Sequence, residues 1–107
     1  MANMKDREDA FENKFVHDET QKFKAMARRN RMLGHWAAEK LGKTGDEADA
    51  YAREVMNSDF EEAGDEDVFR KVRKDFDAAG VAQSDHQIRR TMDELLATAL
   101  EQIKNGE

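Results

Sequence analysis

The chain contains no cysteine and no proline, one tryptophan, one tyrosine, and only 7% aromatic residues. Without cysteine, disulfides, thiolate metal sites and a covalent thiol nucleophile are all excluded. Without proline, nothing in the sequence forces a helix to end, so any terminus must be made by glycine, by capping or by loss of periodicity. There is no apolar run near the roughly 18 residues of a membrane span. The opening stretch "MANMKDREDAF" also lacks the apolar centre of a signal peptide, which leaves a soluble intracellular protein as the expectation. What the chain has in excess is charge: 39% of its 107 residues are Asp, Glu, Lys or Arg, against 38% hydrophobic. A chain of this polarity packs only if its apolar residues are regularly spaced. Its size allows one small domain with one site or surface.

The spacing is helical. Phe23, Met26, Leu33, Trp36, Ala37 and Leu41 recur at intervals of three, four and seven, with Asn30 as a polar interruption. Gly42 is placed as a left-handed terminator. "LGKTGDE", residues 41 to 47, looks like the end of a phosphate-binding loop, but the first glycine of that loop would fall where Ala37 stands, and no strand precedes it. The same residues read as a helix stop, a turn, and a new helix opened by a Thr44/Glu47 capping box. A second helix then carries Ala48, Tyr51, Ala52, Val55, Met56 and Phe60. A third, capped by Asp65, carries Val68, Phe69, Val72, Phe76 and Ala79 and closes at Gly80. A fourth, with a Ser84/Gln87 capping box, carries Ile88, Met92, Leu95, Leu96, Ala99 and Ile103. This is an all-α chain and a small antiparallel four-helix bundle over residues 19–107.

Residues 1–18 stand apart. Met4, Phe11 and Phe15 make an apolar stripe that the polar run "HDETQ" separates from Phe23. A lone helix of this length is marginal in water, so the segment is predicted to be a mobile or marginally helical arm, ordered when its apolar face finds a groove. The competing reading is that Phe11 and Phe15 extend the first helix and pack on the bundle.

Charge is unevenly distributed. Residues 46 to 67 carry ten acidic groups against Arg53 alone, while "KFKAMARRNR" at 22–31 has five cations and no acid. Lys22, Lys24, Arg28, Arg29 and Arg31 could track a phosphate backbone. In a chain of net charge −6 they read better as a solvated face that pairs with carboxylates. His17, His35 and His86 lie too far apart to suggest a metal site, and no residue stands in a nucleophile motif. The physics of the residues therefore ends at a non-enzymatic helical binding module, with a small nucleotide- or nucleic-acid-binding module using the basic face as the alternative.

"DREDAFENKF", "ARRNRMLGHWAAEKLG" and "FEEAGDEDV" together resemble the zeta-subunit inhibitors of the alphaproteobacterial F-type ATP synthase, and the resemblance runs over nearly the whole chain. It implies a four-helix bundle whose N-terminal arm inserts at a catalytic interface and blocks ATP hydrolysis. Carried over by position, Met4, Arg7, Glu8, Phe11, Glu12, Lys14 and Phe15 form the inhibitory arm. The catalytic and rotor subunits of the ATPase are the implied partners, with no nucleic acid, and the protein would be cytoplasmic and peripheral to the inner membrane only through the synthase. No obligatory cofactor or metal is implied. Weak binding of ADP or ATP would be sited at Lys43, Thr44 and Gly45. The chain departs from the family pattern at Met4, where an aromatic residue is usual, and at His35, where an aliphatic one is.

Overall fold

The computed structural model describes residues 4–58 and 66–106, with side chains described from Thr20 onward. Four helices follow one another: α1 (Met4–Lys40), α2 (Asp46–Asn57), α3 (Glu66–Ala79) and α4 (Asp85–Lys104). Phe60 and Asp65, assigned above to a stripe and a cap, lie outside the described residues, as do the side chains of Met4 to Glu19. With 37 residues, α1 is about 55 Å long at 1.5 Å per residue, which accounts for most of the molecule's 62 Å long axis. It is unbroken across residues 17–21. The polar run there interrupts the apolar stripe but contains neither proline nor glycine, so nothing stops the backbone hydrogen bonds.

The helix α1 forms the spine of the bundle. It packs mainly on α2 and α4, whose backbones do not come close to each other among the described residues. The core joins Leu33, Ala37 and Ala38 of α1 to Tyr51 and Val55 of α2, Val68, Phe69, Val72 and Phe76 of α3, and Ile88 and Met92 of α4. Trp36 lies at its edge, half-buried, with its ring 5.6 Å from that of Phe76 at a tilt of 57°. The expectation of an all-α four-helix bundle holds, and three of its details change.

First, Phe23 does not belong to the buried stripe. It is 80% exposed, while Ala25, Arg29 and Asn30 are buried. The inward line is Ala25, Arg29, Leu33 and Ala37, an i,i+4 series whose small alanines let neighbouring helices approach. The Arg29 Nε–H donates to Asn30 Oδ1 at 2.7 Å, which offsets part of the cost of burying the two polar side chains, although Arg29 Nη1 makes no hydrogen bond among the described residues. Second, Ala79 is exposed, one residue before the turn. Third, Thr44 caps nothing with its side chain. The N-cap of α2 is Gly45, at φ 55°, and Thr44 lies one position too early, contributing only its carbonyl to the Glu47 N–H at 3.2 Å.

The end of α1 and the start of α4 follow the expectation. Gly42 adopts φ 79°, and the N–H groups of Gly42 and Lys43 return to the carbonyls of Glu39 and Ala38 at 3.1 and 2.8 Å, closing α1 in a Schellman turn. At α4 the capping box is complete: Gln87 N–H donates to Ser84 Oγ at 3.1 Å, and Ser84 N–H donates to Gln87 Oε1 at 2.9 Å. Ser84→Ala is therefore expected to lower unfolding stability by about 1 kcal/mol, whereas Thr44→Ala should leave it nearly unchanged. Equal losses in urea denaturation would show that the two helix starts had been wrongly distinguished.

Candidate functional site

Of the seven arm residues, Met4, Arg7, Glu8, Phe11, Glu12, Lys14 and Phe15, the structure gives only their place in α1. Their side chains lie outside the described residues. Beyond them, the bundle carries two clefts with distinct chemistry.

The first lies beside the 41–45 turn. It has a volume of about 340 Å³ and is lined by Leu41, Lys43, Tyr51, Glu54, Lys71 and Asp75, with Ala78 and Ala79 at its edge. Of the three candidate nucleotide contacts, only Lys43 reaches it; Thr44 and Gly45 are exposed on the turn. The segment follows a helix and not a strand, so it lacks the strand-to-helix geometry in which backbone amides cradle phosphates. Lys43 Nζ stands 6.0 Å from the centre of the Tyr51 ring, and Lys71 Nζ 5.3 Å from it. Lys71 also pairs with Asp75 at 2.9 Å and Glu54 at 3.7 Å. Each ammonium in this cleft thus meets an aromatic face, and one meets two carboxylates. Only the Lys71/Asp75 spacing of four was visible in the sequence; their meeting with Tyr51 depends on how α2 packs against α3.

Tyr51 is buried, and its O–H donates to Asp75 Oδ2 at 2.8 Å. Burial, followed by the bond to Asp75, pushes its phenol well above the ordinary value of 10.0. A group whose folded pKa is raised contributes its full stability below the unfolded pKa and loses it as pH rises beyond that point. Stability should therefore fall above about pH 10, and Tyr51→Phe should flatten that part of the fall. Urea midpoints measured between pH 8 and 11 for both proteins test this; parallel curves would refute it.

The second cleft, about 560 Å³, lies over α1 between α2 and α4. Met32, Ala52, Met56 and Leu95 make its floor, and Arg31, His35, Asp49 and Arg53 its rim. A smaller hollow of about 210 Å³, lined by Ala27 and Arg28 together with the shared Arg31 and Met56, continues it. His35 faces Asp49 at 3.8 Å. Sequence reasoning missed this groove because its floor is assembled from the flanks of three separate stripes.

The basic run at 22–31 is not a single face. Lys22, Lys24 and Arg31 are exposed, but Arg28 is half-buried and donates to Gln102 Oε1 at 3.2 Å, and Arg29 is buried. Five cations therefore do not line up along a path that a phosphate backbone could follow. Among the described residues, no three His, Cys, Asp or Glu side chains gather as metal ligands, and no helix is long and apolar enough to cross a membrane.

The chain matches the family model for ATPase inhibitor subunit zeta over residues 1–102. It is also similar to a protein solved by solution NMR, with 49% identity and a TM-score of 0.71, over 80% of this chain and 98% of that one. No curated protein matches it. Matched by that family model along nearly its whole length, the chain belongs to the ATPase inhibitor subunit zeta family.

Proposed function

We propose that the protein inhibits ATP hydrolysis by an F-type ATP synthase by seating residues 1–18 at a catalytic subunit interface, while residues 19–107 hold that segment close to the rotor. The observation that carries this reading is the continuity of α1 from Met4 into the core at Leu33 and Ala37. A segment that shares one helix with the anchored bundle has its direction set by it, which reduces the freedom lost when it docks. Phe11 and Phe15 supply the apolar area, and Met4 adds an adaptable contact. Arg7, Glu8, Glu12 and Lys14 supply charges for orientation. The protein performs no chemistry of its own. It meets the membrane only through the synthase, on the cytoplasmic side. A weak contact with ADP or ATP near Lys43, Thr44 and Gly45 belongs to the same proposal, supported by the two ammonium groups in the adjoining cleft.

The test is ATP hydrolysis by an isolated F-type ATPase, titrated with the intact protein and with one lacking residues 1–17. Inhibition by the intact protein alone is the expected result. Full inhibition by the shortened protein would remove the arm from the mechanism.

A further inference from the structure

Apart from Arg28, which bonds to Gln102, and Arg29, which is buried, the arginines of the described bundle divide into two groups. Arg70, Arg73, Arg89 and Arg90 are each engaged by a carboxylate of the chain itself, with Asp67, Asp77, Glu66 and Glu94 at 3.8, 2.7, 3.1 and 3.0 Å. Arg31 and Arg53 are exposed and make no ion pair among the described residues, although the chain carries 24 acidic side chains. Both stand on the rim of the groove between α2 and α4. Arg53 is also the single cation within the acidic stretch 46–67. The groove therefore places two cations beside an apolar floor, Arg31 from the basic run of α1 and Arg53 from the otherwise acidic α2.

We propose that this groove is a second docking surface and that its occupant is an acidic amphipathic helix of the ATPase partner. An apolar side chain of that helix enters among Met32, Met56 and Leu95, and carboxylates on either side face Arg31 and Arg53. The inference rests on the reading that this protein docks on an ATPase, and it adds a site distinct from the arm. The floor favours a protein helix because methionines are polarisable and flexible enough to close around an inserted side chain. A phosphate backbone gains nothing from such a floor. Rim charges act chiefly on association, by steering the partner into register. The arm then sets how completely hydrolysis stops, and the groove sets how quickly and firmly the inhibitor arrives.

The experiment uses full-length proteins and measures their association with isolated F-type ATPase at low and moderate salt, alongside inhibition at saturation. Arg31→Glu with Arg53→Glu is expected to slow association about tenfold at low salt and to remove its salt dependence, with inhibition at saturation still complete. Lys74→Glu with Lys104→Glu, an equal change of charge at exposed positions away from the groove, is the control and should associate nearly as the unmodified protein does. Met56→Ser, which opens the floor without altering charge, should speed dissociation severalfold. The groove proposal is overturned if the Arg31/Arg53 variant associates as fast as the control variant. It is also overturned if that variant loses binding to a single-stranded oligonucleotide while its association with the ATPase is unchanged. Phe11→Ala with Phe15→Ala separates the two readings: it should associate normally yet fail to inhibit, and complete inhibition by that variant would remove the arm reading alone.

Discussion

Replacing Phe11 and Phe15 together by alanine is expected to abolish inhibition at concentrations where the unmodified protein inhibits fully. Burying two phenylalanine side chains contributes about 1.5 to 3 kcal/mol each. Ordering a segment against a partner costs about 2 to 5 kcal/mol of the gross gain. The two terms are of similar size, so losing both rings leaves the docked arm with little or no margin. At about 1.4 kcal/mol per decade, the apparent affinity of the arm should weaken by roughly two to four powers of ten. The bundle should not notice the change, because every buried residue among those whose side chains are described lies at or beyond Ala25. Circular dichroism and urea midpoints of the variant should match those of the parent while ATP hydrolysis in its presence continues. A variant that inhibits at the parent's concentrations would mean that the arm's phenylalanines do not carry the docking.

The largest expected effect on the fold comes from a residue with no side chain. Gly34 lies where α1 crosses α2, and a Cβ added there would sit 2.5 Å from Ala52 Cα, with Ala52 Cβ and carbonyl oxygen at 3.1 and 3.3 Å. The nearest atom is backbone, so the clash cannot be relieved by rotating a side chain; the two helices must separate. Overpacking of this kind costs about 1 to 3 kcal/mol, and valine recovers only a few tenths through its better helix propensity. Gly34→Val should therefore cost about 2 kcal/mol or more, a fall in Tm of roughly 10 °C for a domain of this size. Ala50→Val, on the exposed face of α2, should cost about 0.5 kcal/mol. Adding Ala52→Gly to the Gly34 variant should not restore stability, since the Cα met first is still present. Rescue by that change, or equal losses at positions 34 and 50, would show that the helices do not approach as described.

Four helices and their order could be read from the spacing of Leu33 with Ala37, Tyr51 with Val55, Val68 with Val72, and Ile88 with Met92. Each pair is a local repeat of four residues that a helix must place on one side. The Gly42 and Gly80 stops and the Ser84/Gln87 box were legible for the same reason, because capping depends on residues within one turn of each other. Thr44 was misread because the capping-box spacing is satisfied whether the helix begins at Gly45 or at Asp46, and only the backbone at Gly45 decides between them. Phe23 and Arg29 were misread because hydrophobicity alone ranks them, while burial depends on which flank of α1 the other helices cover.

The sequence by itself determined an all-α chain, its helix boundaries to within a few residues apart from the start of α1, and, through motifs spread along its length, membership of an inhibitor family. Each of these depends on neighbours within a turn or on residue identities, and both are carried by the chain before it folds. Only the tertiary structure decided that Arg29 and Asn30 lie inside while Phe23 lies outside. It alone brought Tyr51 to Asp75, and it alone opened an apolar groove rimmed by Arg31 and Arg53 between α2 and α4. These features depend on how separate helices pack, and their distances follow from helix packing angles and close approaches such as Gly34 on Ala52, which no local periodicity encodes.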